Sequence, residues 1–385
     1  MASKKPNGRR QRVAFLLPNL CLGGAEKVTV HLANGLAARG YAIDMVLFEA
    51  RGEFLGELDP AVHVVELKVG RMMWAIPRFA AYLRRNKPAA VISAHDYVNL
   101  GVILAKRLSA TAVPVLLTIH STHSMAAVYK PGFRARLLDF LAHWCYRQAA
   151  GVVCVSRAVA DDLAAGAGID RERLLVIYNP VVSQRILDLA HEPPTLGTGC
   201  PGCPHPWFAP GAPPVVLSVG RLSPVKDFPT LIRAFATLRR KKEVRLIILG
   251  EGNDRPRLEG MIAELGLGPS VALPGFSPNP YAYMARAALF VLSSISEALP
   301  PALIEALAVG TPVVATDCKC GPKEVLQNGR FGGLVPVGDV AALAEAMAAA
   351  LSAPRRPLPP DALQPYTMDH AVDEYCRIID EVTHG

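Results

Sequence analysis

Short, continuous runs of apolar residues recur along both halves of this 385-residue chain, and turn residues bound each of them. Such runs predict strands that are buried on both faces of a sheet. Amphipathic stretches with helical spacing separate the runs, and this alternation predicts βαβ units and parallel sheets, an α/β fold. The clearest runs lie at residues 13–17, 113–119, 215–219, 246–249, 271–273, 289–292 and 312–315.

Length and linker composition predict two domains. The chain exceeds the size at which one core usually keeps growing, and residues 191–214 are dense in proline and glycine. We therefore predict a basic tail at residues 1–11, an N-terminal domain at 12–190, a linker at 191–214 and a C-terminal domain at 215–365. Residues 366–385 carry the spacing of a final helix.

Charge and cysteine usage narrow the class of function. The formal net charge of +8 and the pI near 9.1 favour an anionic ligand or surface. A nucleic acid does not fit, because the basic residues form no stripe with interleaved aromatics and no known nucleic-acid-binding pattern occurs. Eight scattered cysteines suit a reducing compartment, so we predict a cytoplasmic protein.

The sequence predicts a soluble or peripheral protein. No uninterrupted apolar run approaches the ~20 residues of a membrane-spanning helix. Residues 9–25 resemble part of a signal peptide, but Pro18, Asn19 and a glycine turn break the apolar stretch.

Residues 71–87 have one apolar and one basic helical face. The segment is either an ordinary packed helix with a solvated basic face, or one that rests with the basic tail on the anionic inner face of the membrane. The apolar face comprises Met72, Ile76, Phe79 and Leu83, and the basic face comprises Arg71, Arg78 and Arg85 with Trp74 and Tyr82 beside it.

Two glutamates, Glu297 and Glu305, are spaced E-x7-E, and the second is the only charge of an apolar helix that Pro300 and Pro301 open. A buried, unpaired carboxylate is costly, so Glu305 should face a polar ligand or a cation. Carboxylates accept paired hydrogen bonds from vicinal diols, which predicts hydroxyl-rich ligands. The plain alternative is a surface loop followed by a helix with one solvated glutamate.

Unusual residues follow several predicted strands, where ligands bind in doubly wound sheets. Gly23 and Gly24 open a helix and can bring backbone amides to a phosphate. Alone, each feature also has a plain structural interpretation. Two cations, two carboxylates and glycine turns at one edge together suit a nucleoside diphosphate sugar. The remaining members of this set are His120, Gly220, Arg221, Lys226, Gly250 and Gly275.

These residues resemble the retaining glycosyltransferases of family 4, whose GT-B fold has two Rossmann-like doubly wound domains facing across a cleft. The resemblance covers nearly the whole chain. It rests on Gly-Gly-Ala-Glu at 23–26, Asn-Pro at 179–180, Ser-Val-Gly-Arg-Leu at 218–222 with Lys-Asp at 226–227, Gly-Glu-Gly at 250–252, the E-x7-E pair, Cys-Gly-Pro-Lys-Glu-Val at 320–325 and Leu-Val-Pro-Val-Gly-Asp at 334–339. Two departures are Ala298, where relatives often have Gly, and Cys320, where they commonly have Ser.

The resemblance implies a role for each residue. Arg221 and Lys226 would bind the donor diphosphate, and Glu305 would hold the ribose hydroxyls. Glu297 and the backbone of Ala298 and Leu299 would contact the donor sugar. His120 would lie near the reacting carbon. The helix at 366–385 would pack back on the N-terminal domain, and the glycines at 23, 24, 220, 250 and 275 would contact the donor, with the first two closing on donor phosphate or acceptor.

The implied reaction moves a sugar from a nucleoside diphosphate sugar to a glycan or lipid-linked glycan, as in cell-surface polysaccharide synthesis. We expect no cofactor and no metal, because no D-x-D pair occurs and the cations can replace a divalent ion. Cys200, Cys203 and His205 have part of a zinc-site spacing, but four ligands are needed and an irregular linker is preferred. The alternative function is a non-catalytic GT-B-like partner that binds a nucleotide or glycan. A dehydrogenase fits less well than either, because no G-x-G-x-x-G follows the first strand of either half.

Overall fold

The computed structural model describes residues 11–21, 23–93, 95–120, 133–195 and 205–384. The chain divides into two compact units, Met1–Pro180 with Pro365–Gly385, and Val181–Gln364. In the described part of each unit, parallel strands form one sheet with helices between them along the chain. The α/β class and the parallel sheets predicted from the apolar runs are confirmed.

The first unit contains a seven-stranded sheet in its described residues, in the order β3-β2-β1-β4-β5-β6-β7. Its strands are β1 (Arg12–Leu17), β2 (Ala42–Leu47), β3 (His63–Glu66), β4 (Ala90–Ser93), β5 (Val115–Ile119), β6 (Gly151–Cys154) and β7 (Leu174–Val176). Its helices are α1 (Gly24–Ala38), α2 (Met72–Asn86), α3 (Asp96–Ser109), α4 (Phe133–Gln148) and α5 (Arg157–Ala167). Strand β1 has a neighbour on each side, β2 and β4, and residues 13–17 are almost fully buried, as its continuous apolar run predicts.

The second unit contains a six-stranded sheet in its described residues, in the order β10-β9-β8-β11-β12-β13. Its strands are β8 (Val215–Val219), β9 (Arg245–Leu249), β10 (Val271–Gly275), β11 (Leu289–Leu292), β12 (Val313–Thr316) and β13 (Gly333–Val335). Its helices are α6 (Gln184–His191), α7 (Phe228–Arg239), α8 (Arg255–Glu264), α9 (Pro280–Arg286), α10 (Pro301–Ala308), α11 (Pro322–Val325) and α12 (Val340–Ser352).

Both sheets reverse their winding beside their first strand. In the first sheet β1 lies between β2 and β4, and in the second β8 lies between β9 and β11. The reversal parts the loops at the carboxyl ends of the two neighbouring strands and leaves a crevice there, which is where ligands bind in doubly wound sheets. The loops after β1 and β4, and those after β8 and β11, therefore lie where a ligand would bind.

The final helix, α13 (Met368–His384), packs against α1 of the first unit. Gly35 permits this approach, since a Cβ there would lie 2.4 Å from a methyl carbon of Val372. Arg39 pairs with Asp369 at 3.1 Å and also with Asp373. Apolar burial and these ion pairs together hold the end of the chain on the first unit.

The boundary between the units lies before α6, earlier than the composition of the chain suggested. Asn279 donates hydrogen bonds to the carbonyl of Leu189 and to Glu192, both at 2.9 Å. Arg286 donates to the carbonyls of Ala190 and His191 at 3.0 and 3.1 Å. These donors, from the N-cap and the last residue of α9, satisfy orphan carbonyls at the end of α6, which therefore belongs to the second unit.

Helix α2 differs in part from the face predicted for residues 71–87. Its Tyr82 is buried and donates a 2.5 Å hydrogen bond to Asp44, so the prediction that Tyr82 lies beside a basic surface is wrong. Arg78 donates to the carbonyls of Leu67 and Lys68 and is thereby tied to the preceding segment. Trp74 is 63% exposed. Among the described residues, no helix has both the length and the apolar character to cross a bilayer.

Candidate active site

The loops that follow β8 and β11 are joined by hydrogen bonds at the crevice of the second sheet. The Ile295 amide donates to the Val225 carbonyl at 2.8 Å. The Ser293 hydroxyl donates to the carbonyl of Lys226 at 2.8 Å. These bonds fix both backbones, so the side chains that the two loops carry are held in place at the reversal of the sheet.

Lys226 and Glu297 form an ion pair across this crevice. The distance from Lys226 Nζ to Glu297 Oε1 is 2.5 Å, and the Ser294 hydroxyl donates to the same oxygen at 2.6 Å. The side chains of Glu297 and Lys226 are 9% and 23% exposed. The sequence predicted both residues for the site but assigned them to different parts of a ligand, whereas here each neutralises the other.

Arg221, in contrast, is exposed and forms no ion pair with any residue in the described ranges. Its position is fixed through the backbone, because the neighbouring Gly220 amide donates to Leu249 and the Leu222 amide to Glu251, both at 2.9 Å. The crevice thus carries one cation already paired and one that an anion can reach directly.

Glycines let the successive strand-end turns of this sheet lie backbone against backbone. Gly250 has a φ of +138°, and a Cβ there would lie 2.0 Å from the Gly220 carbonyl oxygen. A Cβ on Gly252 would lie 2.2 Å from the Leu222 carbonyl oxygen. Gly250 also donates to Gly275 at 2.8 Å. These glycines are needed for packing, and the predicted donor contacts of Gly220, Gly250 and Gly275 stay predictions.

Glu305 lies half-buried on α10, and the hydroxyl of Tyr281 on α9 donates to its Oε1 at 3.2 Å. Burial, and then the charge of Glu305, raises the pKa of Tyr281, which keeps its proton for this bond. The carboxylate therefore faces a polar group of the protein, and its contact with a ribose stays a prediction. Nothing in the sequence pattern singled out Tyr281.

The loop that joins Glu297 to α10 is held against the loop before α11. Gly321 has a φ of +88°, and a Cβ there would lie 2.6 Å from Pro300 Cδ and 3.4 Å from the Ala298 carbonyl oxygen. Leu299 is buried, as is Cys320. The sequence expected backbone contacts from Ala298 and Leu299 to the donor sugar, and this expectation also stays a prediction.

Cys318, which the sequence did not single out, lies close to Glu297. Burial first, and then the charge of Glu297, raises the pKa of the Cys318 thiol to about 12. A protonated, buried thiol is a poor nucleophile. The residue therefore lines the site without taking part in covalent chemistry.

In the first unit, His120 follows β5 directly and is half-buried. Burial, and then the nearby His95, lowers the pKa of His120 to about 4, so its imidazole is neutral at physiological pH. His95 Nε2 lies 3.1 Å from Glu26 Oε1. The sequence predicted His120 and the turn at Gly23 and Gly24, but it predicted neither His95 nor Glu26 as a site residue.

The linker segment with part of a zinc-site spacing, which we predicted to be irregular, lies largely outside the described residues, since Cys200 and Cys203 belong to the undescribed range 196–204. His205 is buried, and its Nδ1 accepts a hydrogen bond from the Trp207 amide at 3.2 Å. Within the described ranges, no group of three His, Cys, Asp or Glu side chains is arranged to hold a metal ion.

Comparison with known proteins identifies the family. The family model for "Glycosyl transferases group 1" matches residues 205–361, and that for "Glycosyltransferase Family 4" matches residues 22–185. A diphospho-undecaprenol 4-alpha-N-acetylgalactosaminyltransferase of Campylobacter jejuni is 32% identical over 337 residues, which cover 85% of this chain and 86% of that relative. The chain therefore belongs to the family 4 glycosyltransferases, as the sequence motifs indicated.

A further relative is also a glycosyltransferase, and a solved structure has the same fold. The lipopolysaccharide core biosynthesis glycosyltransferase LpsE of Rhizobium meliloti is 29% identical over 84% of each chain. The structure of Anabaena HepE in complex with UDP superimposes with a TM-score of 0.71 at 20% identity, covering 96% of this chain and 100% of that one. The likeness to HepE shows the fold alone, and this fold is the predicted GT-B architecture.

Proposed function

We propose that this protein transfers a sugar from a nucleoside diphosphate sugar to a hydroxyl of a glycan or lipid-linked glycan, with retention of the anomeric configuration. The observation that carries the proposal is that the loops at the crevice of the second sheet carry two cations, Arg221 and Lys226 after β8, and the Glu297 carboxylate after β11, which pairs with Lys226. Cations suit a leaving diphosphate and carboxylates suit sugar hydroxyls.

The proposed chemistry is electrostatic. As the bond from the sugar to the phosphate breaks, negative charge grows on the leaving nucleotide, and Arg221 and Lys226 stabilise it. Lys226 must then share its charge between Glu297 and the phosphate, which frees Glu297 to accept a hydrogen bond from the sugar. Retention through a covalent intermediate would need a carboxylate placed as a nucleophile, and no residue of the predicted set is assigned that role. We therefore propose attack on the same face as departure, with the phosphate taking the proton of the acceptor.

The acceptor class is proposed from the names of the relatives. A second Campylobacter jejuni relative, 26% identical over 97% of this chain, is an alpha-1,4-N-acetyl-D-galactosaminyltransferase that acts on a glycan linked to diphospho-undecaprenol. LpsE takes part in lipopolysaccharide core biosynthesis. We propose an acceptor of this kind, in cell-surface polysaccharide synthesis.

A peripheral position on the membrane follows from such an acceptor and has support in the first unit. Met73 and Trp74 are 72% and 63% exposed at the start of α2, and Leu104 and Leu108 are exposed one turn apart on α3. The two helices pack together, since Arg84 donates to the carbonyls of Leu108 and Ser109. Apolar side chains beside basic ones suit the interface of an anionic membrane.

The function is tested with a panel of nucleotide sugars. Purified protein should release nucleoside diphosphate slowly from one class of donor without acceptor, and quickly once a lipid-linked glycan is added. Arg221→Ala should lower both activities by about 10²–10³. Binding of a nucleotide sugar without release under any condition would favour the alternative, a non-catalytic partner of another transferase.

A further inference from the structure

The second unit has a cavity of about 1000 Å³ at the end of its sheet opposite the crevice. Its lining comes mainly from residues 310–313 at the start of β12, residues 329–333 at the start of β13 and residues 353–360 after α12. Glu297 and Cys318, in contrast, follow β11 and β12 at the crevice. A strand of four residues such as β12 spans roughly 13 Å, so the cavity is separate from the proposed site of sugar transfer.

The side chains of this cavity offer positive charge and apolar surface. Three arginines, Arg330, Arg355 and Arg356, belong to the lining. In the described part of the chain, to which the whole lining belongs, Thr311 is the only other lining residue with a polar side chain, and its hydroxyl donates to the Met284 carbonyl at 2.6 Å. The remaining lining residues are glycine, alanine, proline and larger apolar residues. The cavity therefore suits an anion that carries an apolar group.

The three arginines are exposed and can reach an anion. Arg355 uses a donor on the Ala287 carbonyl at 2.8 Å. Arg330 donates to Gln327 Oε1 at 3.4 Å, and its guanidinium carbon lies 5.4 Å from the centre of the Phe331 ring. No carboxylate among the described residues pairs with any of the three. Since each guanidinium has five donors, most of their N–H groups are available to a ligand.

Four consecutive cations, residues 239–242, stand at the end of α7, and the last of them reaches the wall of the cavity. Lys242 donates to the Ala348 carbonyl of α12 at 3.3 Å and to the Ser352 hydroxyl, next to the lining segment. Glu243 is the one acid that directly follows the run. The combined positive charge raises the local concentration of anions, and it favours a ligand with more charge than a single carboxylate.

We propose that the cavity binds the phosphate headgroup of an anionic lipid. Guanidinium groups bind phosphate oxygens through paired hydrogen bonds and are weakly hydrated, so arginines suit this ligand. The first carbons of the lipid chains would lie on Phe331, Leu358 and Leu363, which are partly buried in the lining. A nucleotide fits less well, since beyond the arginines no described lining side chain offers a donor that could recognise a base. The proposal goes beyond sugar transfer and does not depend on it, because it gives the second unit its own contact with an anionic membrane.

A short-chain lipid below its micelle concentration tests the cavity directly. Dihexanoyl phosphatidic acid should shift the NMR amide signals of Gly329, Gly332 and Gly333, which line the cavity, until the site is saturated. Inorganic phosphate should bind about tenfold more weakly, because burial of two methylene groups accounts for that factor. Dihexanoyl phosphatidylcholine, which has the chains without the net charge, should leave these signals in place. Equal affinity for inorganic phosphate would identify a site for a free ion and overturn the proposal, as would the absence of a saturable shift with phosphatidic acid.

Two arginine changes test which residues hold the headgroup. Arg330→Gln with Arg356→Gln should weaken binding of dihexanoyl phosphatidic acid about twentyfold, because each cation near an anionic lipid contributes a factor of about five. Arg355 is left in place because it also bonds to the backbone of the protein. The matched control, Arg233→Gln with Arg257→Gln, removes the same charge from exposed residues outside the lining and should keep the affinity within about twofold. Equal loss in the two double variants would reflect net charge alone and overturn the proposal.

Vesicles show whether the site acts at a membrane. Flotation is measured without a sugar donor, on vesicles of three parts phosphatidylcholine to one part phosphatidylglycerol. It should fall in Arg330→Gln with Arg356→Gln and not in the control pair, and unchanged flotation in the first pair overturns the proposal. Release of nucleoside diphosphate should be the same in both pairs, because the cavity and the crevice lie at opposite ends of the sheet. A protein that binds phosphatidic acid but releases no nucleotide would contradict the proposed sugar transfer and support the lipid site, so the two proposals fail separately.

Discussion

Replacing Lys226 should lower both turnover and the free energy of unfolding, whereas replacing Arg221 should lower turnover alone. In Lys226→Ala the Glu297 carboxylate, 9% exposed, loses its cation and keeps the Ser294 hydroxyl as its hydrogen-bond donor. Removing one partner of a fully buried pair costs about 3–5 kcal/mol. Because Lys226 is 23% exposed and water can reach the gap, we expect about 2 kcal/mol, within the range for a charged hydrogen bond.

The assay compares urea unfolding with turnover. Trp207 belongs to the second unit, so replacing Trp74 and Trp144 by Phe makes fluorescence report that unit. A loss of about 2 kcal/mol lowers the urea midpoint by about 1 M. Arg221→Ala, an exposed change, should stay within about 0.5 kcal/mol. Either variant should lower kcat by about 10²–10³ at saturating donor.

A double variant separates the two effects. Adding Glu297→Gln to Lys226→Ala removes the stranded charge, so stability should return to within about 1 kcal/mol of the starting protein while kcat stays low. The stabilising role of the Lys226–Glu297 pair is refuted if Lys226→Ala unfolds at the original urea concentration, or if Arg221→Ala destabilises the second unit as strongly as Lys226→Ala does.

Three further changes probe the rest of the site. Glu305→Gln should weaken binding of the nucleotide sugar by about 1.5–3 kcal/mol in calorimetry. Tyr281→Phe removes one neutral hydrogen-bond donor and should weaken this binding by about 1 kcal/mol. Equal effects of the two changes would make Glu305 purely structural. EDTA should leave turnover unchanged, and a loss restored by Mg²⁺ or Mn²⁺ would contradict the metal-free reaction. Flotation with anionic vesicles at low salt should fall at least threefold in Trp74→Ser with Met73→Ser, since two exposed apolar contacts are lost; unchanged flotation would exclude this surface.

The strands that the sequence predicted best are the ones buried on both faces. Strand β1 and strands β8 and β11 are continuous apolar runs, and the structure places them near the boundaries expected. Strand β2 was not predicted because Asp44 interrupts its apolar run. That carboxylate is 3% exposed and is paired with Arg12 at 3.2 Å and with the Tyr82 hydroxyl. The sequence alone does not distinguish a buried carboxylate that distant residues neutralise from a carboxylate exposed on the surface.

Distance along the chain also explains why the sequence did not predict the two pairs of side chains at the strand ends. Sequence reasoning identified the loops after individual strands, because turn residues and charges follow the apolar runs directly. It did not predict that Lys226 pairs with Glu297, or that Glu26 pairs with His95. These partners lie far apart in the chain, and the strand order that brings their loops together, β8 beside β11 and β1 beside β4, is not written in any local pattern.

The stereochemistry of the product is a direct test of the proposed retaining sugar transfer. The donor identified in the nucleotide-sugar panel is incubated with a glycan linked to a polyprenyl diphosphate, and the anomeric proton of the product is assigned by NMR. We expect transfer of the sugar with the anomeric configuration of the donor, and a rate about 10²–10³ times lower in Arg221→Ala. A product of opposite configuration would contradict the proposed same-face reaction, and absence of any transfer from a donor that binds would contradict the assignment of catalysis to this chain.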